Sequence, residues 1–265
     1  MTAARDPEAL AALCARALTD PPTADEIARA LLADPAVSVL GDPAVGVVAT
    51  ACSGTIGSIR LLAVDPAHRR RGIGRALLEE AEAALRASGA TGFRVGGDAP
   101  RYLWPGVDVT DLGLLALLEA AGYARGEAAL NLEVPLDAIP PVPVEPSAPV
   151  SVDEVAAWCR THWPHWEVEF VAAAERSGLT AARDDAGIAA LCARDVLRDG
   201  WIGPVASRPD LVGRGAGRAP LLHALHALRA AGRDRAEIAW AGPLRPYLAV
   251  GARPGRTFVV LRKGG

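Results

Sequence analysis

Apolar residues recur at three- and four-residue intervals over positions 7–18 and 24–32, which predicts two helices at the start of the chain. The period then shortens. β-rich runs at 37–40, 45–51 and 56–64 predict three strands joined by short turns. The third leads through Pro66 into an arginine- and glycine-rich stretch, a long helix that stops at Gly89, and a strand-like run at 92–95. Further along, the same order returns. Helical spacing at 152–161 and 168–177 precedes strand patterns at 179–183, 187–193 and 201–206, with Asp184-Asp185-Ala186-Gly187 as a hairpin turn. A helix up to Gly232 and a strand at 236–240 follow. Helices, antiparallel meander, glycine loop, helix, strand, helix, strand is the order of an α/β layer fold with a mixed sheet.

The two halves are related in sequence. Residues 68–90 (HRRRGIGRALLEEAEAALRASGA) align without gaps with residues 211–233 (LVGRGAGRAPLLHALHALRAAGR). Gly72 meets Gly215, Gly74 meets Gly217, Arg75 meets Arg218, Arg86 meets Arg229 and Gly89 meets Gly232, each pair 143 positions apart, and Pro66 and Pro209 keep that offset. A tandem duplication accounts for this. Between the halves, residues 137–149 (DAIPPVPVEPSAP) hold five prolines and little to bury, which predicts a stiff, extended linker. The expected division is a first domain at 1–137, a linker at 138–149 and a second domain at 150–265.

With 265 residues, 51% hydrophobic and 22% charged, the chain has enough apolar material for packed cores and is not disordered throughout. No stretch reaches the roughly 18 consecutive apolar residues of a membrane helix. Asp6 and Glu8 stand where a signal peptide needs basic and then apolar residues, so a cytoplasmic protein is expected. Its four cysteines, Cys14, Cys52, Cys159 and Cys192, lie far apart with no C-x-x-C spacing and read as reduced core residues. The net charge of −3 leaves no global footprint for nucleic acid.

Local chemistry concentrates in the glycine loop. A strand that opens into Arg69-Arg70-Arg71-Gly72-Ile73-Gly74-Arg75 at the start of a helix points backbone N–H groups and partial positive charge at one place, an anion site. Gly72 and Gly74 let the backbone approach a phosphate, and the arginines add mobile positive charge. No Lys-Ser or Lys-Thr follows, which excludes a Walker loop, and Leu77 stands where a dinucleotide fingerprint needs its third glycine.

Arg69-Arg70-Arg71-Gly72-Ile73-Gly74 matches the R/Q-x-x-G-x-G/A signature, and with the preceding Leu61-Leu62-Ala63-Val64-Asp65-Pro66 the chain resembles the GNAT superfamily of acyl-CoA N-acyltransferases. Ile202-Gly203-Pro204-Val205, Trp240-Ala241-Gly242-Pro243 with Pro246-Tyr247, and Trp104-Pro105-Gly106-Val107-Asp108 are similar to segments of bacterial tandem GNAT proteins. The resemblance covers almost the whole chain and is weakest over the first 35 residues. It implies two tandem GNAT-like domains. In them the loop amides hold the pyrophosphate of acetyl-CoA or another acyl-CoA, and the strand backbone near Leu62 and Val64 pairs with the pantetheine arm. Val205 is the corresponding position in the second half. There the loop Val212-Gly213-Arg214-Gly215-Ala216-Gly217 keeps the glycines and replaces the first arginine by Val212.

Acyl transfer to an amine needs an unprotonated nucleophile, a held thioester and a proton for the departing thiolate. The family often uses a tyrosine for that proton, four residues before the glycine that ends the final helix. Tyr247 stands four before Gly251, whereas the equivalent position before Gly122 is Leu118. The second half is therefore expected to be catalytic with Tyr247 as acid, although a tyrosine at a helix end is also an ordinary boundary residue. Trp158, Trp163 and Trp166 next to Glu167 and Glu169 suit a cationic acceptor, with Trp163, Trp166 and Glu167 as the expected contacts. The other reading is that the tryptophans seal the boundary between the halves. His162/His165 and His223/His226 lack a third ligand type beside them, so no metal is expected. The function read from the sequence is transfer of an acetyl group from acetyl-CoA to a primary amine of a small molecule or peptide, by a monomer or homodimer with no nucleic-acid or membrane partner. The rival is a non-catalytic acyl-CoA-binding module.

Overall fold

The computed structural model describes residues 3–97, 99–142 and 149–264. Two compact units divide the chain, Met1–Ala129 with Thr257–Gly265, and Leu130–Arg256.

In the first unit, α1 (Pro7–Ala17) begins where Asp6 accepts a hydrogen bond from Glu8 N–H and Pro7 takes the first helical position. The next helix, α2 (Ala24–Ile27), opens with a reciprocal capping box between Thr23 and Glu26 and runs on as a wider π turn over Ala28–Leu32. The antiparallel meander β1 (Ser38–Asp42), β2 (Gly46–Ser53) and β3 (Ile56–Val64) follows. After it come α3 (Ile73–Ala87), β4 (Gly92–Val95), the short β5 (Val107–Asp108) and α4 (Leu112–Ala120). β4 runs parallel to β3, and its register stops at Ile59 and Val95, so among the described residues Arg60–Val64 have no strand on that side. Leu77, Leu78, Ala81 and Leu85 of α3 share one core with Val48, Ile59, Phe93 and Leu118.

The second unit repeats the plan. It contains the later part of β6 (Ala124–Pro135), α5 (Val152–His162), α6 (Glu167–Glu175), the meander β7 (Leu179–Asp184), β8 (Gly187–Arg194) and β9 (Trp201–Ser207), then α7 (Arg218–Ala230), β10 (Arg235–Ile238) and α8 (Leu244–Leu248). β10 pairs in parallel with β9 only at Trp201 and Ile202, which leaves residues 203–207 unpaired on that side. On its other side β10 runs antiparallel to β6.

The duplication reaches further than the loop helix. α1 and α5 are both 11 residues long, and Leu10, Leu13 and Cys14 are buried in one as Val155, Trp158 and Cys159 are in the other, 145 positions on. Each helix ends with its cap N–H returned to that cysteine's carbonyl, Leu18 to Cys14 (2.9 Å) and Trp163 to Cys159 (2.7 Å). An A-A-x-C pattern at positions 11–14 and 156–159 marks the match in the sequence.

The compact units are not the two halves of the sequence. The last strand, β11 (Arg253–Gly264), joins the first unit from Thr257 onward, because Val259 and Leu261 enter the core that holds Phe93 and Val95. Lys263 secures that end, its ammonium 2.8 Å from both oxygens of the buried Glu82. Of the expected linker, residues 143–148 lie outside the described residues. Its first part is packed: Ile139 and Val142 belong to the core of the second unit, and the Pro140 carbonyl lies 2.8 Å from His226 Nε2.

Candidate active site

At the end of β3, Asp65 N–H donates to the Val45 carbonyl (2.9 Å) on the β2 side. Alternation along a strand then turns the N–H and C=O of Val64 to the opposite, unpaired side. The chain leaves through a tight turn at Pro66–His68, passes Arg70 and Gly72 in the left-handed region (φ 63° and 83°), and enters α3. No side chain caps α3, and its first bond runs from Ala76 N–H to the Gly72 carbonyl (3.0 Å). The N–H groups of Ile73, Gly74 and Arg75 are left without partners among the described residues. A Cβ on Gly72 would meet nothing within 4 Å, whereas one on Gly74 would come within 3.2 Å of Leu117 Cδ2. Gly72 thus supplies the conformation, and Gly74 the close approach of α4.

A cavity of about 480 Å³ opens in front of these amides. The sequence-predicted residues Leu62, Val64, Arg69, Arg70, Gly72, Ile73, Gly74 and Arg75 line it, and Arg71 does not. The sequence reading missed the opposite wall, formed by Ala17 and Leu18 at the end of α1 and by Asp111, Gly113, Leu114 and Leu117 at the start of α4. Asp111 had a legible signal as the side-chain cap of α4, accepting from Leu114 N–H (3.0 Å). His68 completes the wall, its Nδ1 buried and without a hydrogen-bond partner among the described residues.

One expected phosphate ligand has another task. Arg69 is not mobile charge: Nε donates to the Val64 carbonyl (3.1 Å) and a terminal nitrogen to the Ala17 carbonyl (2.6 Å), so it braces β3 to α1. All four arginines, Arg69, Arg70, Arg71 and Arg75, are exposed, and what sets Arg69 apart is its two carbonyl partners.

The second loop has the same backbone and fewer open amides. Gly213 and Gly215 take the left-handed conformations of Arg70 and Gly72 (φ 77° and 86°). Arg214 N–H, however, donates to the Leu211 carbonyl, and Arg218 N–H to the Gly215 carbonyl, both at 3.0 Å. Among the described residues no such bond forms at the counterparts Arg71 and Arg75. α7 accordingly starts at Arg218, two positions later than α3 by the 143-residue offset. Val205 and Ser207 pack against its start, 3.6 and 3.4 Å from where a Cβ on Gly217 would stand. Ala216 lies in the loop, and Val212 is exposed.

Trp163 and Trp166 stack with ring centres 5.2 Å apart, and the Trp163 indole N–H donates to the Ser207 carbonyl (2.9 Å). Glu167 is ion-paired with Arg160 (2.7 Å). The neighbouring Glu169 is 5% exposed, its Oε2 has no partner among the described residues, and burial pushes its carboxyl up to about 8. Tyr247, in α8, is 8% exposed within the apolar core of the second unit. Burial first, and nearby Cys192 second, push its hydroxyl up to about 12.

The family model described as acetyltransferase (GNAT) domain matches residues 35–104. Among curated proteins, none matches the sequence. The fold is similar to that of the glucosamine N-acetyltransferase region of a fungal multi-domain GH3 β-N-acetylglucosaminidase (TM-score 0.77, 22% identity), over 97% of this chain and 37% of the fungal one. It is similar as well to a GCN5-related N-acetyltransferase from Sphaerobacter thermophilus (TM-score 0.69, 20% identity), over 98% and 92% of the two chains. A tandem GNAT protein from the clavulanic acid biosynthesis pathway (TM-score 0.70, 20% identity) aligns over 98% and 94%. Residues 35–104 thus match the acetyltransferase (GNAT) domain model, and the chain has the fold of the tandem GNAT proteins.

Proposed function

We propose that the protein is an N-acyltransferase that moves an acetyl group from acetyl-CoA to a primary amine of a small molecule or peptide, and that the donor binds in the first unit. The observation that carries this is the cavity of about 480 Å³ where the unpaired end of β3 meets the uncapped start of α3. Phosphate oxygens suit the open amides of Ile73, Gly74 and Arg75, with Arg70, Arg71 and Arg75 in solvent around them. An extended, amide-bearing pantetheine arm suits the backbone of Leu62 and Val64, which faces the cavity without a neighbouring strand.

The unprotonated amine attacks the thioester carbonyl, the C–N bond forms as the C–S bond breaks, the nitrogen loses its proton to solvent water, and CoA leaves as a thiolate. A thiolate whose conjugate acid has a pKa of about 8.5 takes its proton from water at neutral pH. Tyr247 is not needed for that step, and its burial in the apolar core of the second unit makes it a packing residue in this reading. Calorimetric titration of acetyl-CoA, with thiol release measured against a panel of primary amines, is the test. Tight binding that Gly72→Glu abolishes, together with amine-dependent release of CoA, is the expected result. Binding untouched by Gly72→Glu overturns the donor site, and binding with no amine-dependent turnover overturns the catalytic reading.

A further inference from the structure

We propose that Trp163 decides which of the two glycine loops receives the donor: its indole spans the groove of the second unit, so that the chain takes one acyl-CoA. This rests on the donor site proposed above.

Leu18 and Trp163 are the same position in the two units, each capping an 11-residue helix through its own N–H. Val64 and Ser207 are likewise equivalent, 143 positions apart at the ends of β3 and β9. In the first unit Leu18 and Val64 stand on the walls of the cavity. In the second unit the corresponding walls are bonded to each other, Trp163 Nε1 to the Ser207 carbonyl at 2.9 Å.

That carbonyl is the one an extended ligand would use. Arg208 N–H returns to the Ala189 carbonyl on the β8 side (2.8 Å), so Ser207 turns its own N–H and C=O toward the unpaired side of β9. A pantetheine amide pairing there would have to displace the indole, which Trp166 holds by stacking. In the first unit the equivalent Val64 carbonyl accepts from Arg69, whose side chain comes from the loop itself and also reaches the Ala17 carbonyl of α1, yet these residues line an open cavity of about 480 Å³. The second loop has Val212 at that position. The inward-turned amides of Arg214 and Arg218 act in the same direction, leaving fewer donors for phosphate.

Calorimetry with acetyl-CoA, read as sites per chain, tests this. Wild type should bind one equivalent and Gly72→Glu none. Trp163→Leu, which installs the residue of the first unit, should bind two. Trp163→Leu with Gly72→Glu should retain one, and adding Gly215→Glu should remove it. Should the leucine variant not fold by circular dichroism, Trp163→Met keeps apolar bulk without the indole N–H and carries the same expectation. Two sites in wild type, or a site in Gly72→Glu that Gly215→Glu removes, would show that the second groove is already open and overturn the proposal. A folded Trp163→Leu/Gly72→Glu protein that binds nothing overturns it as well. A wild type that binds no acetyl-CoA at all is a different failure, that of the donor site itself.

Discussion

The two glycine loops share a backbone and differ in what surrounds it. Gly72 and Gly215 both sit in the left-handed region, at φ 83° and 86°, with open space where a side chain would go. Around Gly72 the amides face a cavity, while around Gly215 two of them close onto the loop and an indole bridges the nearby walls. The lesson is that a phosphate-loop motif specifies a conformation, and access to that conformation is set by side chains far away in sequence.

The largest expected effect separates the loops directly. Gly72→Glu should weaken acetyl-CoA binding by about 100-fold or more, since it puts bulk and negative charge where phosphate oxygens belong. Gly215→Glu should leave affinity within about threefold. Both substitutions place a side chain at positive φ, so both should destabilise the fold by about 1 kcal/mol. Equal losses in thermal stability beside unequal losses in binding would sharpen the comparison, and equal losses in binding would end it.

The buried carboxylates of α2 and α6 form a second contrast. Glu26 and Glu169 are equivalent, 143 positions apart, but Glu26 accepts from Thr23 N–H (2.8 Å) in its capping box. Trp166 takes the place of Thr23 at the start of α6, and its N–H goes to the Trp163 carbonyl (2.9 Å), so Glu169 has lost that partner. A carboxyl held near 8 when folded, and near its ordinary 4.5 when unfolded, opposes folding as pH rises through that interval. Glu169→Gln should therefore stabilise the protein by about 3 kcal/mol at pH 7, with the gain vanishing near pH 4. Glu26→Ala should destabilise it by about 1 kcal/mol, through loss of the acceptor for Thr23 N–H. Thermal melts at both pH values check the pair, and a gain for Glu169→Gln that persists at pH 4 would remove burial of the charge as its cause.

Arg69→Ala should lower stability by about 1 kcal/mol, because two carbonyls lose a charged, solvent-exposed donor that water partly replaces. Arg70→Ala should leave the melting temperature alone and make acetyl-CoA binding less salt-sensitive. The reverse assignment, Arg69 salt-sensitive and Arg70 structural, would return Arg69 to the phosphate. The smallest effect belongs to Tyr247→Phe, with turnover within about twofold and stability within about 1 kcal/mol of wild type. A loss of turnover with acetyl-CoA affinity intact would restore Tyr247 as the acid and move the chemistry to the second unit.

Much of the fold could be read from the chain. Strand periodicity located both meanders, and the repeated glycine loop located both long helices at their common C-terminal stops, Gly89 and Gly232. The match between α1 and α5 was present in the sequence too, in the A-A-x-C pattern, but two residues of offset separate it from the 143-residue register of the loops. β11 was harder. Its run Phe258–Leu261 is buried throughout, and the side chains it must pack beside, Phe93 and Val95, lie more than 150 positions earlier. At the candidate site, the loop side of the cavity was legible and the opposite wall was not. Ala17, Leu18 and Leu117 are ordinary helical apolar residues until folding sets them across from β3.

What the sequence determined by itself was local. Glycines take the left-handed turns, Asp6, Thr23 and Asp111 begin helices, and the β-rich runs form the strands, because each depends on neighbours within a few residues. Tertiary structure decided that Arg69 braces two backbone carbonyls, that Glu169 is buried without its cap, and that an indole reaches across 44 residues of chain to the carbonyl at the end of β9. Hydrogen bonds and cavities of that kind belong to surfaces that meet only once the chain is folded, so no spacing along the sequence encodes them.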